Sequence, residues 1–151
     1  MKLRLLATLL VLPWISGCAE GRVTSARFVD SVSGVQLDYT LKGAHAYLAE
    51  YHRTLRVTFA HTKVDFPMEM DTGGFLMLNI HRVPDGRLML FDGAAHILLD
   101  PQRQIVVQTN PPLDASAAEY IGCFDRDERD DLRFISAAER PEKKPLLDHT
   151  Q

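Results

Sequence analysis

Phe75-Leu76-Met77-Leu78-Asn79-Ile80, then Pro84-Asp85-Gly86, then Arg87-Leu88-Met89-Leu90-Phe91: these residues decide the fold class. Each apolar run is too short for an ordinary helix, and between them lies strong turn chemistry. Proline presets one backbone angle, aspartate bonds to its own backbone, and glycine accepts a positive φ. Two short apolar runs about such a turn read as buried antiparallel strands. The pattern continues downstream. Asp92-Gly93 is a second turn signal before His96-Ile97-Leu98-Leu99, and Asp100-Pro101 punctuates before Ile105-Val106-Val107. Upstream, Leu55-Arg56-Val57-Thr58-Phe59 and Val35-Gln36-Leu37-Asp38-Tyr39 alternate with period two, as half-buried strands do. Arg27-Phe28-Val29, turning through Ser31-Val32-Ser33-Gly34, supplies a partner for the second of these.

Gly43 breaks the run, and Ala44 to His52 fits two states: Tyr47, Leu48 and Tyr51 have helical spacing, yet the stretch also reads as extended. Asn110-Pro111-Pro112 closes the central series. Asp114 to Glu119 is expected to be a short helix capped by Asp114, and Leu132-Arg133-Phe134-Ile135 a last strand. The expected fold is mainly β with one or two short helices, a small antiparallel sheet that is rolled or sandwiched.

The N-terminus has another character. Met1-Lys2-Leu3-Arg4 carries two positive charges, and Leu5 to Ile15 is an apolar run of 11 residues. A spanning helix needs about 20; a charged start, a short apolar core and a small-residue exit describe a secretory signal. Ile15-Ser16-Gly17-Cys18 resembles the lipobox of bacterial lipoproteins. The resemblance is confined to residues 1–18. It implies cleavage before Cys18, diacylglycerol on its sulfur and acylation of its new amino group. Ala19, where an aspartate would signal inner-membrane retention, resembles sorting to the outer membrane, with the domain facing the periplasm. The expected organisation is therefore a signal peptide over 1–17, a lipidated tether over 18–25, a single β-rich domain over 26–136, and a disordered tail over 137–151, where Pro141, Lys143, Lys144 and Pro145 fall.

Removing residues 1–17 leaves 134 residues with 15 basic and 20 acidic side chains, a net charge of −5. That is one domain's worth of chain. Its acidity argues against nucleic acid and against electrostatic binding of anionic head groups, both of which need basic clusters. Cys18 and Cys123 are the only cysteines, so acylation of the first excludes an internal disulfide, and Cys123, set in Tyr120-Ile121-Gly122-Cys123-Phe124, reads as a buried inert thiol.

Asp71-Thr72-Gly73 resembles the catalytic triplet of retropepsin-like aspartic proteases, in which two chains each lend one aspartate to a shared-proton dyad. The resemblance would make Asp71 catalytic in a dimer, because two close carboxylates cannot both ionise. Gly74 stands where alanine or serine is usual, and Glu69 interrupts the apolar approach, so the residues also read as an ordinary turn. Asp65-Phe66-Pro67-Met68-Glu69-Met70-Asp71 alternates: if extended, Asp65, Glu69 and Asp71 share one face and Phe66, Met68 and Met70 the other. Pro67 places this strand at a sheet edge, where three carboxylates offer a surface to a basic protein partner or block unwanted pairing.

Met68 and Met70 have the softness of copper(I) ligands but no adjacent histidine. The six histidines show neither His-x-His nor His-x-x-x-His spacing. Asp125-Arg126-Asp127-Glu128-Arg129-Asp130-Asp131 starts like a calcium loop, yet lacks its glycine and twelfth-position acid, and reads as a salt-bridged turn. No metal and no cofactor is expected. The functional expectation leans away from an enzyme, toward a lipid-anchored envelope module that binds another protein, as inhibitor and immunity-type lipoproteins do. The alternatives are a dimeric aspartic hydrolase centred on Asp71 or a structural subunit of an envelope-spanning machine.

Overall fold

The computed structural model describes residues 21–45, 48, 50–72, 77–93, 96–109 and 117–142. It contains ten strands: β1 (Val23–Val29), β2 (Gln36–Gly43), β3 (Tyr51–Thr58), β4 (Lys63–Asp71), β5 (Leu78–Arg82), β6 (Leu88–Phe91), β7 (His96–Asp100), β8 (Ile105–Thr109), β9 (Glu119–Arg126) and β10 (Leu132–Ser136). They form two antiparallel sheets, ordered β1-β2-β3-β4 and β10-β9-β5-β6-β7-β8. The sheets face one another without closing into a barrel, so the mainly β expectation holds in its sandwiched form. No helix occurs among the described residues.

Turn chemistry explains the local hairpins. Between β1 and β2, the Asp30 carboxylate accepts the Ser33 N–H at 3.0 Å, and the Asp30 carbonyl accepts the Gly34 N–H at 2.8 Å. Between β5 and β6, Val83 N–H donates to the Arg87 carbonyl at 3.0 Å while Gly86 takes a φ of 84°, a left-handed angle that strains other residues. Period-two alternation then sends Leu37, Tyr39, Leu41, Leu55 and Val57 inward from the smaller sheet. They meet Leu78, Ile80, Leu88, Leu90, Ile97, Leu99 and Phe124 of the larger one in a single core. Tyr39 and Phe124 pack across the two layers with ring centroids 5.5 Å apart. Fully burying each such aliphatic side chain contributes about 1.5–3 kcal/mol.

β9 was not expected as a strand. It sits between β5 and β10, and its ladder with β5 slips at Ile80/His81, where a bulge interrupts the alternation. Gly122 makes this possible: a Cβ there would collide with the Ile135 carbonyl and the Phe134 ring. Of the helix expected over 114–119, residues 114–116 lie outside the described residues, while 117–119 are not helical and Glu119 opens β9. The expected strand over 75–80 begins at Leu78 and runs on to Arg82; residues 73–76 lie outside the described residues. Of the ambiguous 44–52 segment, Tyr51 and His52 are extended in β3, and residues 46, 47 and 49 are not described.

The ends of the domain shift outward from the expected limits. β1 starts at Val23, inside the stretch read as tether, because it pairs with β2 as far as Lys42. Residues 137–142, expected to be disordered, fold back on the larger sheet. Ala137 N–H donates to the Ile121 carbonyl at 2.8 Å, Arg140 pairs with Asp125, and Nε2 of His81 lies 3.1 Å from Glu142. Residues 1–17, expected to be a signal peptide, lie outside the described residues, as do Cys18 and 143–151.

Candidate functional site

β4 is an edge strand, as Pro67 required, and its inward residues Val64, Phe66 and Met68 pack on the core. The expected carboxylate face is corrected in one respect. Tyr51 pairs with Asp71 and Arg53 with Met68, so β4 bulges around Glu69 and Met70. The bulge reverses the alternation: Met70 becomes 43% exposed and Asp71 is buried at 8%. Asp65, Glu69 and Asp71 therefore do not share a surface.

Asp65 is also not a free charge. Its carboxylate accepts both Nε and Nη2 of Arg56, at 2.6 and 3.0 Å, and this pairing holds its pKa below the ordinary value. Cross-strand registry extends the pattern. Arg27 faces Asp38, Asp38 faces Arg56, and Arg56 faces Asp65, with Arg27 Nε 2.6 Å from Asp38. The outer face of the smaller sheet thus carries an alternating, neutral row of ions.

Asp71 instead joins a buried polar group at the end of the sandwich where β4 and β6 finish. Arg53 Nη2 lies 2.9 Å from the Asp92 carboxylate, with side chains 5% and 3% exposed. Arg53 Nε donates to the Glu69 carbonyl at 2.7 Å, so one guanidinium ties the bulge to the facing sheet. The Tyr39 hydroxyl is within reach of this group. Burial pushes its pKa up to about 12, Arg53 opposes the rise, and Asp92 and Asp71 add to it. Near the same end, the Arg126 guanidinium stacks 5.0 Å above the Tyr51 ring. This arrangement locks two sheets together. Asp71 lies within it, 8% exposed.

Edges β1 and β10 lie against each other, sealed by Phe28 and Phe134 stacked at 4.3 Å. Among the described residues β8 pairs with β7 alone, and its free margin lies near β4. β8 has no proline, no charge and no bulge, and it leaves Ile105 41% and Val107 43% exposed. On the strand beside it, Leu98 faces Val107 and is half-buried. Sequence reading identified Ile105-Val106-Val107 as a strand but could not place it at an edge, because edge position follows from β9 inserting at the far side of β5. At the end opposite Arg53, the turns 32–33, 85–87 and 100–103 enclose an open cleft of about 580 Å³. Its arginines are already engaged: Arg87 with Asp85 at 2.6 Å, Arg103 with Asp100 at 3.8 Å.

No protein-family model matches the chain, and comparison with curated proteins and with solved structures likewise gives no match. The remaining candidates resolve by placement. Cys123 is fully buried beside Met77 and Ile135. Met68 faces the core while Met70 points outward, so the two do not converge on one ion. Among the described residues, no three histidine, cysteine or acidic side chains could hold a metal. Residues 125–131 form the expected salt-bridged turn: Asp127 accepts the Arg129 and Asp131 N–H groups at 2.9 and 3.1 Å, and Arg126 pairs with Asp130 at 2.6 Å.

Proposed function

We propose that this chain is a lipid-anchored module of the bacterial cell envelope, held by acylated Cys18, which binds another protein by accepting a strand at β8. The observation that carries the binding mode is the contrast between edges. Natural sheets blunt exposed edges with proline, charge or bulges. β4 has all three in Pro67, its outward Lys63, Asp65 and Glu69, and the bulge at Glu69–Met70, whereas β8 has none. An edge left open offers unpaired N–H and C=O groups for affinity and alternate side chains for selectivity. The occupant that fits is an extended, uncharged segment of a partner protein that sets apolar side chains beside Ile105, Val107 and Leu98. The acidic face on β4 is not retained as the partner surface, because Asp71 is buried and Asp65 is neutralised. The hydrolase and the structural-subunit readings gain no observation from the fold.

The test is photocrosslinking in cells, with a photoreactive residue at position 105 or, separately, at position 65. A protein adduct from 105 that disappears on adding Val107→Lys, while 65 stays silent, is the expected result. An adduct from 65 alone, or one from 105 that Val107→Lys leaves unchanged, overturns the β8 assignment.

A further inference from the structure

We infer that the domain stands on the membrane by one particular end, formed by Val23, Lys42, Leu48 and Met70, and directs the cleft between turns 32–33, 85–87 and 100–103 away from the lipid. The inference rests on the reading of Cys18 as the acylated residue. Arg22 is already part of the fold, since its carbonyl accepts the Gly43 N–H at 3.1 Å. Only four residue steps separate Cys18 from Arg22, which span at most about 15 Å at 3.3–3.6 Å per residue. The tether is too short to let the domain turn over. Whatever lies at the Arg22 end therefore lies at the lipid.

Register defines that end. Val23 pairs with Lys42, Gly43 with Tyr51, and Tyr51 with Asp71. The larger sheet is oriented on it by Arg53–Asp92 and by Arg126 over Tyr51. At the other end, Arg82 of β5 reaches Asp30 at 2.6 Å. β1 rises about 3.3 Å per residue over its length, so the cleft stands roughly 20 Å farther from the bilayer than Val23 does. The membrane-proximal end also has suitable chemistry. Val23, Leu48 and Met70 are 59%, 58% and 43% exposed, and Arg22 and Lys42 beside them are exposed cations. Exposed apolar side chains settle into the boundary between head groups and acyl chains, and flanking cations suit the phosphates. The turn Asp127–Asp131 at the same end is acidic, so repulsion from anionic lipid tilts the domain toward the Lys42 side. The acyl chains supply the affinity; these residues set orientation.

The mature chain offers a clean probe, because its only tryptophan, Trp14, lies in the signal peptide. Acylated protein carrying Leu48→Trp, Met70→Trp, Val32→Trp or Gln102→Trp is reconstituted into phosphatidylethanolamine–phosphatidylglycerol vesicles with brominated acyl chains. All four positions are exposed. Emission from positions 48 and 70 should be quenched several-fold more than emission from 32 and 102. Equal quenching at both ends, stronger quenching at 32 and 102, or none anywhere overturns the inference. Incorporation of labelled palmitate is measured on the same samples and on Cys18→Ser. Label in wild type but not in the variant, without differential quenching, defeats the orientation alone. No label in wild type, or label retained by Cys18→Ser, defeats the anchor and the orientation with it.

Discussion

Arg53 shows how one side chain can hold two sheets. A buried ion pair stabilises little against an apolar replacement of equal shape, but removing one partner leaves a desolvated charge. Arg53→Ala exposes Asp92 and the Glu69 carbonyl to that deficit, and the expected loss is about 3–5 kcal/mol, read as a drop in denaturant midpoint. A loss within about 0.5 kcal/mol, typical of surface changes, would show the group to be solvated. Asp30 acts differently. Burial pushes its pKa up, but the Ser33 hydrogen bonds and Arg82 outweigh it, and the net value lies below the ordinary 3.8. The unfolded chain thus takes up this proton at a higher pH than the folded chain does. Stability from Asp30 is whole above 3.8 and is lost as pH falls through the lower folded value. Melting temperatures between about pH 5 and about pH 2 should fall less steeply for Asp30→Asn than for wild type, and parallel curves would contradict this.

At the scale of the element, charge pairing decides what an edge can do. The Arg27–Asp38–Arg56–Asp65 row is exposed, and exposed pairs contribute about 0–1 kcal/mol each. Asp65→Asn should therefore change the melting temperature little and leave crosslinking from position 105 unchanged; loss of that adduct would return the partner surface to β4. The hairpins β1–β2, β5–β6 and β7–β8 were legible because their turns carry their own chemistry in Ser31–Gly34, Pro84–Gly86 and Asp100–Pro101. β9 was not. Glu119-Tyr120-Ile121-Gly122-Cys123-Phe124 has a glycine and a bulge where period two should run, and of its two partners only β10 is near in sequence, β5 lying beyond three intervening strands. The same kind of irregularity hid the fate of Asp71: alternation counted from Asp65 places it outward, and a bulge visible only through the β3 ladder turns it in. The buried Arg53–Asp92 pair had no sequence signal, since Arg53 stands in no recognisable motif and Asp92 reads only as part of the Asp92-Gly93 turn.

At the scale of the molecule, the position of β9 makes Cys123 a reporter of global opening. Its thiol is fully buried in a strand hydrogen-bonded on both sides, to β5 and to β10. Among the described residues, two movements would open it to reagent. Residues 137–142 could lift from the sheet, releasing the Arg140–Asp125 and His81–Glu142 contacts. Alternatively β9 must part from its neighbours, which dismantles the six-stranded sheet. The thiol belongs with Met77 and Ile135 to a small cluster apart from the inter-sheet core, and because Ile135 faces Cys123 across the β9–β10 ladder, the second of these movements is expected. For a domain stable by about 5–15 kcal/mol, the open population is then very small, and labelling should be slow and should track unfolding free energy when closing outpaces reaction. Arg53→Ala, distant from Cys123 in the chain but costly to the whole fold, should accelerate thiol labelling by the factor its stability loss dictates, about tenfold per 1.4 kcal/mol. Arg140→Ala with Glu142→Ala, which loosens only residues 137–142, should accelerate it no more than its own small effect on melting temperature allows. Rapid labelling of that double variant at an unchanged melting temperature would mean that the C-terminal segment alone guards the thiol. Labelling rates proportional to stability across both variants would instead establish β9 as part of the last structure to open.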